Sequence, residues 1–160
     1  WAAAQGHSDA QVAAGRLYAA GSGVRQNYGR AAQYYRTAAV RGANAEAQYA
    51  LGVLYFDGRG VDNDFRTAAD WFRKAGLQGH GGAQSVLGAM YQKGWGIDID
   101  VGEAFVWFSL ANRQRKKAMG YRGDIDPEKE LQKITARISR LQRQKAERRL
   151  RAMGQKKPKR

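Results

Sequence analysis

The chain has 160 residues, 43% of them apolar, which is enough to bury a core and too many for a disordered polymer. It has no cysteine, which excludes disulfide scaffolds, thiolate zinc sites and cysteine nucleophiles, and no run approaches the roughly 18–20 apolar residues of a membrane-spanning helix. The net charge of +14 is unevenly placed: residues 1–112 hold 10 Lys/Arg against 9 Asp/Glu, whereas residues 113–160 hold 18 against 5. A near-neutral body therefore carries a strongly basic C-terminal segment.

The chain opens at Trp1, inside what reads as the end of a repeat, because Gln5-Gly6-His7 recurs as Gln78-Gly79-His80. Residues 1–9 are accordingly expected to be the tail of a cut or processed repeat, leaving an apolar face near Ala10 and Tyr18 poorly covered. Three further segments then align: Ala14 to Gly23, Leu51 to Gly60 and Leu87 to Gly96, each built around Gly-x-x-Tyr and closed by Gly-x-Gly. Downstream, Ala31, Ala68 and Ala104 align, followed by Tyr34-Tyr35, Trp71-Phe72 and Trp107-Phe108. A fixed spacing of this length is the signature of stacked helical hairpins.

Each unit reads as two helices. Helix A runs from about residue 10 to 20, 47 to 57 and 83 to 93, with small and aromatic residues at helical spacing. The Gly-x-Gly pair ends it, since glycine tolerates the positive φ of a helix C-cap. Helix B starts after Asn27, Asp64 and Asp100, whose side-chain oxygens can accept the free N–H groups of a first turn. Small residues at Gly15/Gly52/Gly88 and at the aligned alanines let paired helices approach closely, and the aromatic pairs are expected to fill the space between successive units. The resulting fold class is all-α, an α-α superhelix (a short solenoid of helix-turn-helix repeats) with a long C-terminal helix. Its expected divisions are repeats over 1–112 (units near 10–44, 47–80 and 83–112), a basic connector over 113–126, a capping helix over 127–154 and a disordered basic tail over 155–160.

The pattern of Ala45 to His80, with Leu51-Gly52, Tyr55, Gly58-x-Gly60-Val61, Ala68, Trp71-Phe72 and Gly79-His80, resembles the Sel-1-like repeat family, relatives of the tetratricopeptide repeat. The resemblance covers residues 1 to about 112. It implies an adaptor or scaffold for other proteins, and it favours an exported or periplasmic location over the cytoplasm. The chain departs from the bacterial branch whose repeats are pinned by cysteine pairs.

Residues that could suggest chemistry have plainer explanations. The Gly-x-Gly pairs lack the preceding strand and third glycine of a dinucleotide loop and recur once per repeat. His7 and His80 occupy one repeat position, which argues for a turn role, and neither has a second ligand or nucleophile at local spacing. Asp62-x-Asp64 and Asp98-x-Asp100 lack the further carboxylates of a calcium loop, and N-capping accounts for Asp64 and Asp100. No catalytic residue, metal site or cofactor is therefore assigned, and the chain is read as not an enzyme.

Binding surfaces remain. If helix A lines a concave face, its non-core positions are Val12 and Arg16, then Tyr49, Val53 and Phe56, then Ser85, Ala89 and Gln92. Tyr49, Val53 and Phe56 form an apolar ridge, read with equal weight as a peptide groove or as core. The candidate partner-binding groove is Tyr49, Val53, Phe56, Arg16 and Gln92; the groove reading expects Tyr49→Ala and Phe56→Ala to leave the melting temperature nearly unchanged. In the basic segment, Asp126-Pro127-Glu128 is a strong helix start. Leu131, Ile134, Ile138 and Leu141 form a seam, with the first half of the helix expected to dock on the last repeat. Arg137, Arg140, Arg143, Arg148 and Arg149 are the candidate contacts for an anionic partner: an acidic protein or polymer, a membrane surface or, ranked lower because residues 122–160 lack aromatic side chains to stack bases, nucleic acid.

Overall fold

The computed structural model describes residues 2–154. Among the described residues there are nine helices and no strand, and the chain divides into two units, Trp1–His80 and Gly81–Arg160. Residues 155–160, expected to form a disordered tail, lie outside the described residues.

The first unit holds two hairpins, α1 (Ala2–Ala20) with α2 (Tyr28–Arg41), and α3 (Ala45–Asp57) with α4 (Phe65–Leu77). The expected caps are present. Asn27 Oδ1 accepts from Arg30 N at 2.9 Å, and Asp64 Oδ1 accepts from Arg66 N and Thr67 N while Thr67 Oγ1 donates to Asp64 Oδ2 at 2.6 Å. These bonds to Thr67 hold the Asp64 carboxyl below its ordinary pKa. Asn44 caps α3 in the same way, accepting from Ala47 N at 3.0 Å.

Helix α1 differs from expectation: it begins at Ala2 and runs straight through Gly6-His7. The aligned turn at Gly79 (φ +90°) closes back onto α4, with His80 N donating to Ala75 O at 3.1 Å and Gln78 Nε2 reaching Ala43 O and Gln48 Oε1. At Gly6 the backbone continues as helix instead. The three-residue likeness of Gln5-Gly6-His7 to Gln78-Gly79-His80 thus does not carry a turn with it.

Within each hairpin the small residue of helix A meets the second aromatic of helix B. A Cβ built on Gly52 would fall 2.8 Å from the ring of Phe72, and one on Gly15 2.6 Å from the ring of Tyr35. Tyr35 and Phe72 therefore close their own hairpins. Tyr35 also belongs to the buried cluster that joins the first hairpin, through Val12 and Ala31, to Ala47 and Leu51 of the second, and Tyr55 and Trp71 pack against that cluster. Gly60 (φ +71°) seats its loop on the start of α2, with room for no side chain: an added Cβ would sit 2.3 Å from the carbonyl carbon of Tyr28.

The second unit starts with the hairpin α5 (Gly81–Lys93) and α6 (Val101–Asn112), in which Gly88 meets Phe108 as Gly52 meets Phe72. Asp100 caps α6 through Glu103 N at 2.9 Å. The expected connector contains a short helix, α7 (Arg115–Tyr121), which buries Ala118 close to Gly81 of α5.

The expected long C-terminal helix is two helices, α8 (Pro127–Thr135) and α9 (Arg140–Gly154). Two causes are visible. First, Ser139 and Gln142 form a capping box: Ser139 Oγ accepts from Gln142 N at 3.2 Å and Gln142 Oε1 accepts from Ser139 N at 3.0 Å. Second, α6 has 12 residues, about 18 Å, while an unbroken helix over 127–154 would extend about 42 Å and leave α6 behind. The break lets both segments pack on α6. Ile134 is buried with Ala89, Ala104 and Phe108, and Ala146 and Leu150 are buried with Val106. The seam expected over Leu131 to Leu141 consequently ends at Ile138, and Leu141 is 61% exposed.

Candidate partner-binding surfaces

Of the candidate groove residues, Arg16, Tyr49, Val53 and Phe56 lie in the first unit and Gln92 in the second, which also holds all five candidate arginines. In the first unit, Glu46, Tyr49, Val53 and Phe56 fall on one stripe of α3, because positions three, seven and ten apart nearly eclipse on a helix. The stripe is less open than a groove requires. Tyr49 is only 7% exposed and lies against Phe72 (ring centroids 5.8 Å) and His80 (4.4 Å, stacked). Phe56 is half-buried, edge-on to Phe65 at 4.9 Å. Of the two readings of this ridge, Tyr49 follows the core one: its ring fills the joint between α3 and α4. Val53 stays half-buried. Val12, Ser85 and Ala89, also placed outside the core from sequence, are buried, because each faces a packed neighbour and not an open channel.

Arg16 stands at the N-terminal end of that stripe. Its side chain is 62% exposed, and its guanidinium donates to Glu46 Oε1 at 2.8 Å. The other carboxylate oxygen, Glu46 Oε2, lies 3.2 Å from His80 Nε2. Glu46 thus ties α1, α3 and the turn before the next repeat together. Nearby, burial pushes the Tyr35 phenol above its ordinary pKa; Arg16 acts against that shift and Glu46 with it. Glu46 was not among the candidates from sequence. The signal was weak: the aligned positions hold Asp9 and Gly82, so no repeat pattern marks it.

A polar clasp was also missed. Gln48 donates to Ala39 O at 3.2 Å and receives Gln78 Nε2 at 2.8 Å, and Gln84 receives Gln114 Nε2 at 2.9 Å. Gln48/Gln84 and Gln78/Gln114 are each 36 apart, the repeat length, so this pairing was legible in the spacing.

In the second unit Gln92 is closed off. Its Nε2 donates to Glu130 Oε2 at 3.0 Å, and α8 lies over the adjacent Ala89 through Ile134. Burial acts to raise the Glu130 pKa, but bonds from Lys133 and Gln92 outweigh it, and the carboxyl sits below its ordinary value. Helix α8 is anchored at its start by Arg115, which forms a two-pronged pair with Asp126 (2.8 and 2.5 Å) and reaches Glu128 at 3.1 Å. The Arg115 guanidinium holds the Asp126 carboxyl down at about 2.

The five candidate arginines separate into two groups. Arg149 pairs with Glu103 of α6 at 3.1 Å, and Arg143 pairs with Glu147 at 3.0 Å, so both are engaged within the unit. Arg137, Arg140 and Arg148 are exposed and have no side-chain ion pair or hydrogen bond among the described residues, and Arg151 is in the same state.

Three helix-turn-helix hairpins of one sequence pattern define an α-solenoid of the tetratricopeptide-like kind. The Sel1 repeat profile matches residues 8–42, 45–80 and 82–115, and the chain belongs to that family. It is similar to the crystal structure of a Sel1 repeat protein from Oxalobacter formigenes, with 33% identity and a TM-score of 0.64 over 72% of this chain and 50% of that one. It is also similar to a protective antigen present in uropathogenic Escherichia coli strains that displays an SLR fold, with 28% identity and a TM-score of 0.62 over 94% of this chain and 38% of that one. The chain thus spans half or less of the length of either. No curated protein matches. Sel1 repeats generally mediate protein–protein interactions, and the fold is typically a non-enzymatic scaffold.

Proposed function

We propose that the chain is a non-enzymatic interaction module that holds a peptide or protein partner on the helix A surface of its first unit. The observation that carries this reading is the arrangement at Arg16. A largely exposed guanidinium, oriented by Glu46, stands at the N-terminal end of a helix stripe that carries the half-buried side chains of Val53 and Phe56 about two and three turns further on and is fixed by the ring of Tyr49. A charged donor next to part-exposed apolar surface on a rigid support is the composition of a small interface anchor. Tyr49 supports that surface from beneath and does not itself make the contact.

The test is selection of peptides from a random displayed library on the purified chain, followed by affinity measurement on Arg16→Glu and Val53→Asp. The reading expects each variant to weaken the selected peptides about tenfold, equivalent to about 1.4 kcal/mol, while its circular dichroism shows the folded, helical chain at the assay temperature. Selection of no peptide above background, or of peptides indifferent to both substitutions, refutes it.

A further inference from the structure

We propose that the outward face of α9 is a second docking surface, one that binds an acidic segment of a partner protein. Docking of α9 itself uses only one side of the helix. Ala146 and Leu150 are buried with Val106 of α6, Met153, Phe105 and Leu110 pack against that cluster, and Arg149 is tied to Glu103. The opposite side carries Arg140, Gln144, Arg148 and Arg151, positions that share a stripe at 100° per residue, with Arg137 immediately before the helix. Six of the fifteen residues of α9 are basic and one, Glu147, is acidic; Arg143 already holds that carboxylate, so it does not neutralise the stripe.

Four guanidinium groups without an ion pair or side-chain hydrogen bond among the described residues point to an anionic occupant, and the chemistry narrows which. Arg140 and Arg148 are about 12 Å apart along the helix, and Arg140 and Arg151 about 16 Å. An extended peptide places carboxylates at i and i+4 about 13 Å apart, and the planar guanidinium suits a carboxylate through two parallel N–H donors. Insertion into a lipid surface needs an apolar face, and the apolar face of α9 is already seated on α6. Single-stranded nucleic acid is bound through aromatic stacking, and residues 122–160 hold no Phe, Tyr or Trp. Leu141, exposed beside Arg140, offers the apolar contact found at protein interfaces. This surface is independent of the one at Arg16 and stands or falls separately.

The experiment compares three probes on the full chain at about 0.05 M salt, where charge contacts are little screened: a fluorescent peptide with Asp or Glu at alternate positions, a random duplex DNA, and phosphatidylserine-containing vesicles. Two triple variants remove the same charge. One is Arg140→Ala/Arg148→Ala/Arg151→Ala; the other is Arg113→Ala/Lys116→Ala/Lys117→Ala, taken from exposed positions elsewhere in the unit. Alanine is the strongest helix former, so α9 survives the first set, and a helical melt checks it. The expected result is peptide binding weakened about tenfold or more by the α9 set and less than about twofold by the other. Equal loss from both sets shows bulk charge alone and overturns the proposal. So does failure of the peptide to bind, and so does α9-dependent binding of DNA or vesicles that is tighter than that of the peptide.

Discussion

Replacing Gly52 by alanine sets two physical effects against each other. Gly52 lies in the interior of α3, where exchanging glycine for alanine gains about 1 kcal/mol of helix propensity. The new methyl would fall 2.8 Å from Phe72 Cε1 and 2.9 Å from Cδ1, closer than carbon atoms tolerate, and a tight 3.2 Å from Cζ. Phe72 is fully buried and flanked by Tyr49 and Phe56, so its ring has no free space to enter. Overpacking of a rigid core costs about 1–3 kcal/mol, and with the ring held on both sides the upper half of that range applies. The net expectation is destabilisation by about 1–2 kcal/mol, or a drop in Tm of about 4–8 °C per kcal/mol for a unit of this size. Gly6→Ala serves as the opposite control. Gly6 is also inside a helix, but a methyl there meets nothing within 4 Å, so propensity acts alone and the variant should be slightly more stable. The assay is urea and thermal unfolding followed by circular dichroism. The double variant Gly52→Ala/Phe72→Leu should recover part of the loss, since the smaller side chain vacates the contact. If Gly52→Ala matches or exceeds the stability of the parent, then close helix approach is not the reason for glycine at this repeat position.

Tyr49→Ala removes a ring packed on Phe72 and His80 and should cost about 3 kcal/mol, seen as a lowered urea midpoint; an unchanged midpoint would return Tyr49 to the groove. Ser139→Ala deletes the capping box of α9 and should cost about 1 kcal/mol, with faster amide exchange in the first turn of α9 and faster tryptic cleavage at Arg140. Equal exchange in both proteins would mean the break is set by α6 alone. The Arg115 guanidinium holds the Asp126 carboxyl at about 2 in the folded chain, below the ordinary aspartate range, so folding favours its charged form. Its contribution is fully present above about pH 4 and is lost as the pH falls through 2. Asp126→Asn should flatten the acid dependence of stability in that interval, and an unaltered acid transition would show that Arg115 does not hold the start of α8.

The sequence by itself determined the repeat, its length and its family. Those features are local: N-cap oxygens at Asn27, Asp64 and Asp100, glycines at the ends of helix A, and apolar spacing at the helical period act within a few residues, and repetition makes them unmistakable. The capping box at Ser139 is equally local, but the apolar seam through Ile138 and Leu141 conceals it; the glutamine pairs join residues 30 apart and are legible only because both partners recur at 36-residue spacing. What only the tertiary structure decided is which face of each helix remains in water. Residues three, four and seven apart share a face whether that face is open or covered, so spacing groups Tyr49, Val53 and Phe56 without saying that Tyr49 lies under Phe72 and His80. In the same way, charge composition counts the arginines of α9 but does not separate Arg149, spent on Glu103, from Arg140, Arg148 and Arg151. That separation depends on the docking of α9 against α6, a contact between residues more than a helix length apart in sequence, such as Glu103 and Arg149.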